Sequence, residues 1–260
     1  MISFKKMHGN GNDFVIINAL TQNISLTKNK IKKLGCRKKG IGFDQLILIC
    51  PPSKKDCDFL IKFFNSDGSS AKMCLNGIRC AASFVWDESL TPHKSINLQT
   101  VSRNIVCKKN RGKVEALISM PTSYEDRELE RKLLAILGND KFFLKDCGNK
   151  HLCIKKLSIK KFDLHSLYDQ LEPLMSNNHI NLSIYKKIQN DIQMRTYENG
   201  VGETLSCGSA SASIASIVLN EGQKIKVSSN GGDLHFNLFK DKLKMIGPTK
   251  VVYSGIINND

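Results

Sequence analysis

Twice in this 260-residue chain a β-like run ends on an aromatic residue, breaks at a glycine-containing turn and reaches a cysteine just before a helical stretch. In the first instance Phe64 precedes Asn65, the turn Asn65-Ser-Asp-Gly-Ser69 follows, and Cys74 lies nine residues after Asn65. In the second, Tyr197 precedes Glu198, the turn Glu198-Asn-Gly-Val-Gly202 follows, and Cys207 lies nine residues after Glu198. A chain duplicated in this way folds as two similar halves, each with its own core, and the length suffices for both. Strand-to-helix units led by an aromatic are common, so the recurrence alone leaves duplication and coincidence both open.

The rest of the pattern is rich in strand. Strands are expected over 4–8 and 14–18 about the turn 9–13, then over 45–49, 58–64, 192–197, 225–229, 234–238, 242–246 and 250–256. The run Asn230-Gly-Gly-Asp233 is a hairpin signal. Helices are expected over 29–36, 123–137, 163–175 and 209–219, and over 76–86 with Ile78, Ala81, Ala82 and Val85 on one face. Strand outnumbers helix, so the class is α+β.

Composition removes several functional classes. The chain is 41% hydrophobic, within the globular range. Its longest apolar runs, 45–50 and 214–219, fall far short of the roughly 20 residues of a membrane span. The opening residues lack the apolar stretch of a signal peptide, so a cytoplasmic location is expected. The nine cysteines are odd in number and include no C-x-x-C, which suits reduced thiols better than a disulfide scaffold. Cys147, His151 and Cys153 have no second cluster to complete a zinc site, and no metal is expected. The net charge of +15 comes mainly from lysine; the seven arginines are dispersed, and no aromatic-rich basic strand accompanies them. That is a solvated lysine surface rather than a nucleic-acid interface.

A cysteine just before a helix lies among backbone N–H groups that have no intrahelical partner, at the positive end of the helix dipole. Both effects favour a thiolate, and the same N–H groups can hold a carboxylate. On two pseudo-symmetric halves, two such cysteines are expected to face one another with an amino-acid α-carbon between their sulfurs. One thiolate then removes the α-proton and the other thiol returns a proton to the opposite face. The enediolate charge would be stabilised by the two helix ends, without pyridoxal phosphate or any other cofactor. The competing reading for each cysteine is a buried structural residue, the usual fate of this side chain. It fits Cys50, Cys57, Cys80, Cys107 and Cys153.

Six blocks, in order, are similar to the diaminopimelate epimerase family along nearly the whole chain. They are Lys6-Met-His-Gly-Asn-Gly-Asn-Asp-Phe14, Gly40-Ile-Gly-Phe-Asp-Gln45, Phe64-Asn-Ser-Asp-Gly-Ser69, Met73-Cys-Leu-Asn-Gly-Ile-Arg-Cys80, Gly148-Asn-Lys-His151 and the segment from Tyr197 to Ser209. The resemblance implies two similar lobes, each a mixed, β-barrel-like sheet around a central helix, with the last strand returning to the first lobe. The lobes would span 1–113 plus 249–260 and 114–248. It also implies Cys74 and Cys207 as the acid/base pair, with His151 and Glu198 helping to deprotonate the thiols. Asn12, Gln45, Asn65, Asn149 and Asn181 would line the substrate cleft. Asn76, Gly208 and Ser209 would bind the reacting carboxylate. The implied reaction converts LL- to meso-diaminopimelate in lysine and peptidoglycan biosynthesis. The implied partner is a small amino-acid substrate, with neither nucleic acid nor membrane involved, and a homodimer is a further expectation.

Four positions depart from the family pattern. Leu75 stands where Gly is usual, beside the first cysteine. Asn199 stands where the family has an Arg that pairs with the distal carboxylate of the substrate, so a charge-assisted contact is missing. Lys150 replaces a usual Pro and is a candidate substitute cation. Ala210 replaces a small Gly. These departures leave open a racemase of the same family acting on another amino acid, such as histidine. A non-catalytic binding protein on the same fold is disfavoured by the presence of both cysteines and both helper residues.

Overall fold

The computed structural model describes residues 1–258, which form two compact units. One comprises Met1–Leu117 with the C-terminal segment from Ile246; the other is Ile118–Met245. Each is a mixed sheet curled about a helix, the α+β architecture expected.

The first unit opens with β1 (Ile2–Gly9) and β2 (Asn12–Asn18), an antiparallel hairpin. Its two-residue turn, Asn10-Gly11, has φ of 56° and 86°. Both values lie in the left-handed region that Asn and Gly tolerate best. α1 (Lys28–Gly35) then crosses over to β3 (Gln45–Cys50), parallel to β2, and β4 (Phe59–Asn65) runs back antiparallel. The short β5 (Ser70–Ala71) folds onto the end of β4, and α2 (Leu75–Asp87) follows. β6 (Ser95–Gln99) pairs parallel with β4 and leads into β7 (Asn104–Asn110) and β8 (Lys113–Ser119).

The second unit repeats this order. After β9 (Thr122–Ser123) and α3 (Arg127–Leu137) come the antiparallel β10 (Phe142–Asp146) and β11 (Lys150–Lys155). α4 (Leu164–Asn178) crosses over to β12 (Ile180–Ile188), parallel to β11, and β13 (Asp191–Glu198) returns antiparallel. β14 (Gly202–Thr204) folds onto β13, and α5 (Gly208–Val218) follows. β15 (Lys224–Ser229) pairs parallel with β13, then β16 (Gly232–Phe239) and β17 (Lys242–Gly247) follow. The final β18 (Lys250–Ile257) returns to the first unit and pairs antiparallel with β1.

Burial explains why α2 and α5 are central. Eleven of the thirteen α2 residues are buried, and α5 is a run of buried Ala, Ser and Ile. A helix apolar on every side must be enclosed. Gly77 permits the close approach in the first unit: a Cβ there would lie 2.6 Å from Phe63 and 3.1 Å from Ile47. The outer faces of the sheets carry second cores. Ile31 of α1 packs with Val15, Ile17 and Leu46. Leu129 and Leu133 of α3 and Leu167 and Leu171 of α4 pack with Leu152, Leu182 and Ile184. Strands covered on both sides lose their alternation, as in the Phe14–Ile17 run.

Two expectations need correction. The helix foreseen over 123–137 begins only at Arg127, because Asp126 caps it by accepting from the Leu129 amide at 3.0 Å while residues 122–123 pair with β10. The helix foreseen over 163–175 runs on to Asn178, with Pro173 inside it and Asp163 as its cap. Among the described residues no helix is long and apolar enough to cross a membrane.

Candidate active site

Cys74 and Cys207 are the N-cap residues of α2 and α5, and their backbone carbonyls accept from Ile78 at 2.8 Å and Ser211 at 3.0 Å. The next three amides of each helix have no intrahelical carbonyl to reach. Those amides belong to Leu75, Asn76 and Gly77 in one unit and to Gly208, Ser209 and Ala210 in the other. They are the groups expected to hold a carboxylate. Leu75 is 3% exposed and belongs to the buried core.

In the first unit, amide side chains connect Cys74 to a buried charge. Arg79, one turn into α2, is wholly buried. Its guanidinium donates to Asn76 Oδ1 at 3.0 Å and to Asn10 Oδ1 at 2.9 Å. Arginine only donates, so Asn76 must turn its oxygen inward and its Nδ2 outward, where it donates to Asn12 Oδ1 at 3.5 Å. At the far side Asn12 Nδ2 donates to Asp44 Oδ2 at 2.6 Å. Asp44 only accepts when ionised, so Asn12 is oriented from both ends. Asn12 Oδ1 therefore faces Cys74 Sγ, which donates to it at 3.4 Å. Asp44 is itself held by Arg37 at 2.7 Å, and Arg37 grips Asp13 through two nitrogens at 2.8 and 2.9 Å. Burial would raise Asp13, but Arg37 and Lys6 hold its carboxyl well below the usual carboxylate range. Beside this cluster, Gln45 and Asn65 face each other across β3 and β4, with Gln45 Nε2 donating to Asn65 Oδ1 at 3.0 Å.

In the second unit the partner of the cysteine is a hydroxyl. Ser209 Oγ lies 3.3 Å from Cys207 Sγ and 3.0 Å from His151 Nε2. His151, on β11, is wholly buried, and burial pushes its imidazole down to about 3, so the ring is neutral at physiological pH. Its Nδ1 is enclosed and has no hydrogen-bond partner among the described residues. A buried orphan N–H is less tolerable than an orphan lone pair. The proton therefore belongs on Nε2, which donates to Ser209 and leaves the Ser209 hydroxyl able to donate to Cys207. Glu198, at the end of β13, accepts from Thr204 Oγ1 at 2.7 Å. Asn181 on β12 is in register with His151, and its Oδ1 accepts from the Asn199 amide at 3.0 Å. Asn199 Oδ1 accepts from the Tyr168 hydroxyl at 3.0 Å.

Asn149 is exposed, and its carbonyl accepts from the Cys147 amide at 3.1 Å. Lys150 lies 5.1 Å above the Tyr124 ring. The structure thus gathers Cys74, Asn12 and Asn76 into one cluster and pairs Gln45 with Asn65. It links Cys207, Ser209 and His151 in a second cluster and joins Asn181 to Asn199. Four residues that support these groups went unread in the sequence: Arg79, Asp44, Thr204 and Tyr168. An arginine within an otherwise apolar helix was the one available signal for Arg79.

The family model described as diaminopimelate epimerase matches residues 4–120 and 143–252. The diaminopimelate epimerase of Blochmanniella pennsylvanica (strain BPEN) is 34% identical over 275 residues, covering 98% of this chain and 99% of that protein. Among solved structures, a phenazine biosynthesis PhzC/PhzF protein from Clostridium difficile superposes with a TM-score of 0.74 at 15% identity, covering 99% and 100% of the two chains. A hydroxyproline epimerase from Agrobacterium vitis, solved with trans-4-hydroxy-L-proline, gives 0.69 at 11% identity, covering 98% and 91%. These two likenesses concern the fold. With the family match spanning most of its length, the chain belongs to the diaminopimelate epimerase family and is an isomerase.

Proposed function

We propose that this chain inverts the α-carbon of a free amino acid by two-base proton transfer between Cys207 and Cys74. We further propose that the substrate is diaminopimelate, converted from the LL to the meso form. The observation that carries the reading is the matched pair of N-cap cysteines on a duplicated unit, each with a different side-chain partner. The substrate assignment rests on the relatives of similar length that bear that name.

The side-chain partners support unequal resting roles. Cys74 donates its S–H to an amide oxygen, which favours the neutral thiol. Cys207 accepts a hydrogen bond from the Ser209 hydroxyl, whose oxygen accepts from the N–H of neutral His151, and this favours the thiolate with no proton changing hands. Cys207 then takes the α-proton as its electron pair forms the new S–H bond, and the C–H electrons pass into the carboxylate as an enediolate. The helix-terminal amides stabilise that charge, each well-placed donor contributing about 3 kcal/mol in a dry site. Cys74 delivers its proton to the opposite face and is left as the thiolate. Glu198, fixed by Thr204, is the acid/base group that helps restore the starting protonation.

The test is α-deuterium exchange in D2O over a panel of LL-diaminopimelate, L-histidine, L-lysine and L-glutamate, with Cys74→Ala and Cys207→Ala as controls. Exchange and inversion of diaminopimelate, lost in both variants, is expected. Absence of exchange with every amino acid, or full activity in either variant, would overturn the reading. Asn199 favours keeping histidine and other amino acids in that panel, because the arginine usual at this position is missing.

A further inference from the structure

We infer that Arg79 readies Cys74 to become a thiolate: it turns the Asn76 side chain outward and sets a buried positive charge behind the cap of α2. Arg79 is thus a positioning residue, and the inference rests on the reading above that Cys74 gives up its proton in turnover.

The thiol of Cys74 donates to Asn12 Oδ1 at 3.4 Å. Once the proton has left, the same oxygen faces an anion and the contact turns repulsive. A thiolate there needs donors and positive charge to offset it. Arg79 brings both. Its Nη1 donates to Asn76 Oδ1 at 3.0 Å and, more weakly, to the Leu75 carbonyl at 3.4 Å; its Nη2 donates to Asn10 Oδ1 at 2.9 Å. Asn76 Nδ2 is thereby turned toward Asn12 Oδ1, 3.5 Å away, the same atom that Cys74 donates to. A donor placed beside the sulfur in this way can serve the thiolate when it forms.

The guanidinium is fixed where it lies. Burial works against its charge, but an arginine does not give up its proton in a protein. Gly9 makes room for it: a Cβ there would lie 3.1 Å from Nη2 and 3.2 Å from the Asn76 carbonyl oxygen. Asn10, at φ 56°, turns its side-chain oxygen back onto the same group. Three thiols lie in its field, those of Cys80, Cys74 and Cys107. Burial pushes Cys80 and Cys107 up to about 12, so both stay neutral at physiological pH. Half-buried Cys74 is left as the thiol that can answer the charge. The charged side chains on β1, β2 and the loop before β3 pair with one another or with the end of α2: Lys5 with Glu88, Lys6 with Asp13, and Asp13 and Asp44 with Arg37. His8, on β1, accepts from the Gly11 amide at 3.3 Å, and β3 and β6 carry no Asp, Glu, Lys, Arg or His. The duplicated unit supplies the contrast. The fifth residue after Cys74 is Arg79, the fifth after Cys207 is Ala212, and α5 holds no charged residue. The effect of Arg79 therefore belongs to Cys74 alone.

The experiment follows iodoacetamide alkylation of Cys74 and of Cys207 against pH by peptide mass spectrometry, with kcat and KM for LL-diaminopimelate measured in parallel. The proteins are wild type, Arg79→Gln, Arg79→Met and Arg79→Lys. Arg79→Gln and Arg79→Met both remove the charge, so that the test survives if one of them fails to fold. In each, the Cys74 profile should move up by about one pH unit and kcat should fall about tenfold, with KM little changed and the Cys207 profile in place. Arg79→Lys keeps the charge without the planar fork and should hold the shift to less than half of that. The inference is overturned if a neutral variant with a cooperative thermal transition keeps the wild-type Cys74 profile, if Arg79→Lys shifts it as far as the neutral variants do, or if the Cys207 profile moves equally. Loss of folding in both neutral variants, with Arg79→Lys folded, would make the charge a requirement of the fold and would overturn its assignment to Cys74. The expected profiles with no inversion by wild type would instead sink the two-base reading and leave the link between Arg79 and Cys74 standing.

Discussion

The two units share their strand order and crossovers, and both place a cysteine at the cap of the buried helix, yet they surround it differently. Cys74 meets an asparagine oxygen that is aimed by a buried arginine on one side and an aspartate on the other. Cys207 meets a serine hydroxyl backed by a buried neutral histidine. Duplication fixes position, because the helix must start where the preceding strand and turn deliver it. It does not fix protonation, because that depends on a few side chains around each sulfur. Two equal thiols would both tend to ionise or both stay neutral. On the proposed two-base reading, unequal partners would set one base and one acid before substrate arrives.

The largest expected effect comes from removing either member of the pair. Cys74→Ala and Cys207→Ala should each lower kcat/KM for inversion by about 10³ or more while the circular dichroism spectrum stays unchanged. Near-normal inversion by one variant would show that its unit supplies no chemistry.

A smaller effect should separate the units. His151→Gln should lower kcat/KM by about 10² and move the alkylation pH profile of Cys207 upward, leaving that of Cys74 in place. The same substitution changes stability. His151 is held down to about 3 when folded and titrates near 6.5 when unfolded, so between those values the unfolded chain binds more protons. Its contribution to stability is therefore complete above about pH 6.5 and is lost as pH falls, by up to about 1.4 kcal/mol per pH unit. Urea unfolding of wild type at pH 5 and 7 should show that slope, and His151→Gln should flatten it. Equal slopes would place the imidazole in a wetter site than the structure gives it.

The mirror experiment is milder. Asp44→Asn gives Asn12 a partner that can donate as well as accept, so Asn12 can turn its N–H2 toward Cys74. The alkylation profile of Cys74 should then move downward in pH, by a few tenths of a unit, with that of Cys207 unmoved. A shift in both profiles would mean that the amide network is not specific to one sulfur.

Much of this was legible in the chain itself. The aromatic–turn–cysteine–helix unit marked both helix caps to within one residue, because a glycine-containing turn and an apolar helix are local signals. The hairpin of β7 and β8 was not read. Its two-residue turn puts Arg111 at φ 45° ahead of Gly112, and an arginine in that place hides the usual Asn-Gly signature. The helper residues were legible only in part. His151 and Glu198 came with the resemblance, but the hydroxyl that joins His151 to Cys207 belongs to a serine read as a carboxylate binder. Tyr168 lies thirty-one residues before Asn199 on an outer helix, and only the folded chain brings them together. No local pattern reports such a contact.

The division of labour between Cys74 and Cys207 is tested most directly by the fate of the α-hydrogen at early times in D2O. Starting from LL-diaminopimelate, the meso product should carry one deuterium at the inverted carbon while the recovered substrate keeps its hydrogen. The thiolate that removes the hydrogen and the thiol that supplies the deuterium are then different groups. Product that retains its α-hydrogen, or substrate that gains deuterium as fast as product forms, would show one base serving both faces and would contradict the account.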